Sequence, residues 1–336
     1  MKAFKYIIIL ILILIVGGAI YFSLQDGGIE ENKEIIVDAP TPLVYEYISD
    51  YKNWDTWNPN VPAQISGEQI TNDVDAQIPY SYDKNENGTL TIQSLDSLSN
   101  ASFIFNSDDV KDLDFSIILK PTEDNKTKLI ASIKGERSLE NKIWTTILGD
   151  EISDEIIPAL MNPIVSIGSS LKELMSKKVV EAPFKTTISG GYHLYITQST
   201  NLGNVESLKD QLESTIMYYM SARNITATGN TKVFYETKDL NNNLALITVG
   251  IPVGEKIITE VNSQVLCGFK ESEDVIKTTL KGDTQFLDEA WKKGSEFILL
   301  NGLTRKESPV FEVYRVKMSD VYNPAEAVTD VYIPVK

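Results

Sequence analysis

Val310-Phe-Glu-Val-Tyr314, followed after a gap by Val331-Tyr-Ile-Pro-Val335, is the stretch on which the reading of this chain turns. Both pieces are short, apolar and rich in Val, Ile, Phe and Tyr, the composition of strands. Side chains alternate between faces along a strand, so Glu312 and Tyr314 share one face. A carboxylate at such a place is either paired within the protein or open to a ligand. A weaker copy lies upstream, at Val233-Phe-Tyr-Glu236 and Val249-Gly-Ile-Pro-Val253.

Counting outward from the two copies shows a repeat. Val205, Leu208, Leu212, Ile216, Tyr219 and Met220 mark an amphipathic helix ending near Asn224. Phe286, Leu287, Ala290, Trp291 and Phe297 mark another, ending at Asn301-Gly302, a good C-cap pair. Asn224 to Phe234 is ten residues and Asn301 to Phe311 is ten, so one offset of 77 superposes both helix end and following strand. Phe234 to Pro252 is 18 residues and Phe311 to Pro334 is 23, which places 23 − 18 = 5 extra residues near Ser319–Pro324. With opening strands at His193–Thr197 and Gln264–Phe269, the unit reads βαββ, twice. The offset matches Glu312 with Tyr235 and Tyr314 with Thr237, so two central strands are expected to present Glu312, Tyr314 and Tyr235 to one groove. Burial there raises a carboxylate pKa unless a cation or hydroxyl compensates. Within the protein, Tyr314 or a basic neighbour such as Arg315 is the candidate partner.

The duplicated βαββ with its F-E-x-Y and Y-I-P-V strands resembles the GyrI-like domain, which also serves as the effector-binding module of AraC-type and multidrug-responsive regulators. The resemblance covers Pro183–Lys336. It implies two repeats about a pseudo-twofold axis, with an aromatic groove between them faced by the glutamate of E-x-Y, here Glu312, with Tyr314 beside it. The ligand-binding set expected is Glu312, Tyr314, Tyr235 and Trp291. Two features depart from the family: Lys281-Gly-Asp-Thr284 stands where a Gly-Pro-Tyr turn is usual, and no helix-turn-helix precedes the domain. Some members hydrolyse electrophilic cyclopropane-containing compounds with an aromatic residue and a glutamate. Their tryptophan has no matching position here.

Upstream, Glu34-Ile-Ile-Val-Asp38 reads as a strand. A short helix follows, with Thr41 as N-cap, Pro42 at the first helical position, and Val44, Tyr47, Ile48 and Tyr51 on one stripe. Strands are expected around Gln77–Tyr82, Thr89–Leu95, Ala101–Asn106, Asp114–Lys120 and Lys128–Lys134. A closing helix runs from Leu160 to Met175, kinked at its entry by Pro163. This order, with Asn53-Trp54-x-x-Trp57-Asn-Pro59 after the first helix, resembles the START-like superfamily (SRPBCC, polyketide-cyclase group) over residues 32–178. It implies a curved sheet wrapped on the closing helix around an apolar cavity. Trp54 and Trp57 either touch a ligand at its mouth or pin the first helix to the sheet. Glu136 and Arg137, in a strand leading to Trp144, read as a surface pair.

Tyr6 to Leu24 carries no charge and has the roughly 20-residue length that crosses a bilayer core. Lys2 and Lys5 precede it and Asp26, Glu30 and Glu31 follow, which predicts an uncleaved single-pass anchor over residues 1–25 with the bulk of the chain extracytoplasmic. The fold class expected is therefore α+β: one transmembrane helix, a START-like domain and, over residues 183–336, a GyrI-like domain.

The 336 residues hold 47 acidic and 31 basic side chains, a formal charge of −16, with no basic cluster to neutralise phosphates. That argues against nucleic acid as a partner. One cysteine, Cys267, and one histidine, His193, cannot build Cys/His zinc sites. Cys267 reads as core and His193 as a hydrogen-bonded structural residue. No metal or cofactor is expected. The function expected is binding of a small hydrophobic or cationic amphiphilic molecule without catalysis. The alternatives are a hydrolase or cyclase with Glu312 as general base, and a protein-interaction module whose partner the sequence does not name.

Overall fold

The computed structural model describes residues 2–61, 73–83, 86–108, 110–149, 152–239 and 241–336. The chain divides into two compact units, Met1–Glu173 and Leu174–Lys336. The first opens with helix α1 (Lys2–Ser23). Among the described residues this is the one helix long and apolar enough to cross a membrane, with mean hydropathy 2.6 over Phe4–Ser23.

After α1 come β1 (Gly28–Val37) and α2 (Thr41–Ser49), then β2 (Gln77–Asp83), β3 (Glu86–Asp96), β4 (Asn100–Ser107), β5 (Leu113–Pro121) and β6 (Thr127–Glu136). The six strands form one antiparallel sheet in the order β1-β6-β5-β4-β3-β2. Period-two burial along β4 and β5 directs Phe103, Phe105, Phe115 and Ile117 inward. Val44, Tyr47 and Ile48 of α2 are buried as the stripe requires, whereas Tyr51 lies beyond the helix, in a 3-10 helix (Tyr51–Thr56), and is only half-buried. Trp54 and Trp57 are buried, with the Trp54 indole donating to the Ile48 carbonyl at 2.7 Å and meeting Phe103 edge-on. Trp54 therefore ties the end of α2 to the sheet.

Three local expectations in this unit are corrected. Thr41 is the first residue of α2, not its cap; the cap position is Pro40, and the Thr41 hydroxyl pairs with that of Thr127 instead. The segment after Glu136 is a helix, α3 (Leu139–Leu148), capped by Ser138 through Asn141 N–H. The Arg137 guanidinium reaches Ser153. The closing helix is broken into α4 (Ile157–Met161), a 3-10 turn at Pro163–Val165 and α5 (Ser166–Met175). Proline lacks the amide that would continue the ladder, which is why the break falls at Pro163.

The second unit contains β7 (Val179–Val180), β8 (Phe184–Ile188), β9 (Gly191–Asn201), α6 (Val205–Ser221), β10 (Lys232–Asp239) and β11 (Leu244–Val253). It continues with β12 (Leu266–Lys270), β13 (Glu273–Lys281), α7 (Leu287–Leu300), β14 (Val310–Val316) and β15 (Val328–Pro334). Its sheet runs β12-β9-β11-β10-β14-β15-β13-β7, with β8 also on β13. Glu181 and Lys185 are both tied to this sheet: the Glu181 amide bonds the Thr279 carbonyl and Lys185 pairs with Ile276 in the ladder. The strand expected to open the second half, Gln264–Phe269, is instead β12, which pairs with β9; the strand that leads into α7 is β13.

Both helices pack on one face of this sheet. Leu208, Leu212 and Ile216 of α6 join Leu194, Val233, Ile247 and Val249, while Ala290 and Ile298 of α7 join Ile276, Leu280, Val331 and Ile333. Gly294 lets α7 approach closely, since a Cβ there would stand 3.0 Å from Thr278 Oγ1 and 3.1 Å from Ile333 Cδ1. The other face carries Phe234, Phe311 and Tyr332 in a second apolar cluster.

Candidate functional site

The centre of the sheet is the antiparallel pair β10–β14, where Phe234 lies opposite Phe311, Val233 opposite Glu312 and Tyr235 opposite Val310. Strand alternation then puts Glu312, Tyr314 and Tyr235 on the helix-covered face. Glu312 is 1% exposed. Its Oε2 accepts hydrogen bonds from Tyr314 OH at 2.7 Å and Tyr235 OH at 3.0 Å, and its Oε1 accepts one from Trp291 Nε1 at 3.0 Å. The Trp291 and Tyr235 rings meet edge to face at 6.3 Å. All four residues named from the sequence therefore share one cluster.

No cationic side chain among the described residues reaches Glu312 within ion-pair distance. Burial pushes its carboxyl pKa up, and the three donors from Tyr314, Trp291 and Tyr235 pull against that; nearby Glu206 adds to the rise. Burial and the Glu312 charge together raise the pKa of both tyrosines, so they stay protonated donors. The basic neighbour considered above, Arg315, points to the other face, where its Nε meets Asp330 at 3.0 Å.

Helix α6 contributes residues that the apolar stripe did not reveal. Lys209 is buried, with its ammonium 4.0 Å from the centre of the Tyr314 ring, and it bonds Glu206 and also meets Asp210 at 3.4 Å. Glu213, also buried, bonds Thr231 and Lys317. Lys209 stands three positions after Glu206 and Glu213 four after Lys209, a spacing that reads equally as a solvated helix face. Thr237 is not in the site: a bulge after Tyr235 shifts the β10–β11 register, and Thr237 is exposed. Cys267 is partly buried, its Sγ accepting from Ile257 N–H at 3.3 Å. His193 is buried but only half satisfied: Nδ1 lies 3.1 Å from the Gly191 carbonyl, and Nε2 has no partner among the described residues.

Chemically, the cluster is a buried carboxyl group held by aromatic donors. It can receive a positive charge, which would compensate a carboxylate that burial otherwise disfavours.

No family model matches the chain, and no curated protein matches it. Among solved structures, the C-terminal domain of EcmrR is similar at 14% identity, over 47% of this chain and 98% of that one, with a TM-score of 0.42. A hydrolase from Listeria innocua matches at 14% identity over 46% and 91%, TM-score 0.35. SAV2435 bound to tetraphenylphosphonium matches at 12% identity over 46% and 94%, TM-score 0.33.

Proposed function

We propose that the chain is a membrane-tethered binding protein for small hydrophobic cations or cationic amphiphiles, with Glu312, Tyr314, Tyr235 and Trp291 as the binding set and no chemical turnover. One observation carries this reading: a buried carboxylate whose partners among the described residues are neutral aromatic donors. A stability role alone is a weak reason to keep such a group, because burying a charge without a counter-ion is unfavourable. An incoming cation supplies the missing charge, and the aromatic rings supply cation–π contact. Glu206, close enough to raise the Glu312 pKa, adds to the negative potential.

The reading places α1 in the membrane and treats the second unit as a GyrI-like domain. The 77-residue spacing supports that, since it sets Phe234 against Phe311 across the central strand pair. The first unit, an antiparallel sheet with α2 on it, is read as a START-like carrier of an apolar ligand.

The test is a titration of the full chain in detergent with a tetraarylphosphonium cation, followed through tryptophan fluorescence. A saturable change in the wild type that is lost in Glu312→Gln supports the proposal. No saturable change, or an equal one in both proteins, removes it. Recovery of the full chain in the soluble fraction after cell lysis would remove the tether.

A further inference from the structure

The face of the second sheet turned away from α6 and α7 holds a separate cavity of about 430 Å³, lined among others by His193, Tyr195, Phe234, Gly250, Phe269 and Lys270. His193 also borders a second hollow that includes Lys232. The register brings these groups together: on β9 His193 stands opposite Gly268 of β12, and on β10 Lys232 stands opposite Gly250 of β11. Glycine at 250 leaves the floor open. A Cβ there would lie 3.7 Å from the Phe234 ring and 3.8 Å from His193 Cδ2, the ring atom bonded to Nε2.

Three observations make this a built site. First, a carbonyl oxygen only accepts, so the Nδ1–Gly191 contact places the proton of the neutral ring on Nδ1 and leaves Nε2 as a bare acceptor. That atom is buried and unpartnered, a state that buried polar groups seldom keep. Second, Lys232 and Lys270 have no acidic partner at ion-pair distance among the described residues. The Lys270 ammonium rests 4.5 Å from the Phe234 ring centre, and Lys232 is held below the usual ammonium pKa by burial and by Lys270. Two uncompensated cations beside each other stand out in a chain of formal charge −16. Third, the acids that line the two hollows are already engaged. Asp330, in the hollow with Lys232, is paired with Lys277 and Arg315. Glu236 accepts from Thr248 Oγ1 and sits four positions along β10 from Lys232, roughly 13 Å at the strand rise.

We infer that this face binds an aromatic carboxylate carrying a hydroxyl donor. Its carboxylate lies between Lys232 and Lys270, its ring lies against Phe234 over Gly250, and its hydroxyl donates to His193 Nε2. The site is distinct from the Glu312 cluster, which lies on the opposite face and takes the opposite charge.

His193 is the sole histidine of the chain, so its ring signals form a single NMR reporter. The experiment titrates the full chain, labelled with ¹⁵N-histidine in detergent, with 3-hydroxybenzoate, and separately with inorganic phosphate. The expected result is a saturable shift of the His193 nitrogens with 3-hydroxybenzoate, weakened about tenfold or more in Lys232→Ala/Lys270→Ala, as loss of charge-assisted bonds implies. Glu312→Gln leaves the titration unchanged. Should the double variant not fold, Lys270→Gln, at an exposed position, and Gly250→Ala, whose new methyl clashes with nothing, carry the same expectation. No saturable shift in the wild type, an equal affinity in the folded variants, or equal binding of phosphate overturns the inference.

Discussion

Tyr314 donates its hydroxyl at 2.7 Å to the carboxylate of Glu312, two residues before it on the same strand and face. Tyr235, from the neighbouring strand, reaches the same oxygen, and Trp291 reaches the other from a helix. The acid is thus enclosed by donors that carry no charge. Its consequences can be measured.

Glu312→Gln keeps the shape of the side chain. The amide oxygen can still accept from Trp291, and a tyrosine hydroxyl can turn to accept from the amide nitrogen. The variant is therefore expected to change unfolding free energy by no more than about 1 kcal/mol, because it also relieves the burial of a charge. Binding of a hydrophobic cation should fall by about tenfold or more, the scale of one lost charge-assisted interaction. Urea unfolding and fluorescence titration check the two halves.

The pH dependence of stability has a definite sign for this acid. Its folded pKa lies above the ordinary value of 4.5, so the folded state holds the proton more tightly than the unfolded one. The stability it contributes is present below about 4.5 and is lost as pH rises from there through the raised folded pKa. Glu181, Asp239 and Asp274 are lowered and act in the opposite sense. The contribution is therefore isolated as the difference between wild type and Glu312→Gln in unfolding series from pH 4 upward. That difference should move in favour of the variant as pH rises.

His193 is held down to about 4, chiefly by burial, with Lys232 and Lys270 adding to the effect against the Gly191 hydrogen bond. The unfolded chain takes up its proton near 6.5, so stability is expected to drop as pH falls from 6.5 towards 4. Ring chemical shifts of this sole histidine should show a neutral imidazole at pH 6. A half-protonated ring at pH 6 to 6.5 would contradict the burial argument.

Asp330 is buried to 1% exposure and engages Lys277 at 2.8 Å, Arg315 at 3.0 Å and Thr279 at 2.7 Å. Asp330→Ala leaves Lys277, itself largely buried, without its counter-ion. The expected loss is about 3 kcal/mol, read by urea denaturation. Adding Lys277→Met should restore part of it, since the stranded charge is then gone.

Gly282 has φ +134 and a Cβ there would stand 3.0 Å from Lys178 Cβ, whereas Gly302, with φ +64, faces open space. Gly282→Ala is expected to cost about 1–3 kcal/mol and Gly302→Ala less, near the αL penalty of about 1 kcal/mol. Thermal unfolding of the two variants gives the order. The glycine of Lys281-Gly-Asp-Thr284 is thus required by the backbone, and Asp283 caps the next turn through Gln285 N–H.

The features legible in the amino-acid order were local and periodic. Alternation in Val310–Tyr314 set Glu312 and Tyr314 on one face, and helical stripes marked α2, α6 and α7. The apolar run Tyr6–Leu24 marked α1, and strand composition marked β2 to β6 close to their observed ends. Each of these features depends only on residues a few positions apart. Which distant groups meet depended on how the folded chain packs. That packing brought Trp291 to Glu312, sent Arg315 to Asp330, placed β12 at the far edge beside β9, and left His193 Nε2 without a partner among the described residues. The physical reason is that a one-dimensional pattern states which face a side chain takes. Strand pairing and close helix approach, such as that allowed by Gly294, determine which donor reaches a buried acid.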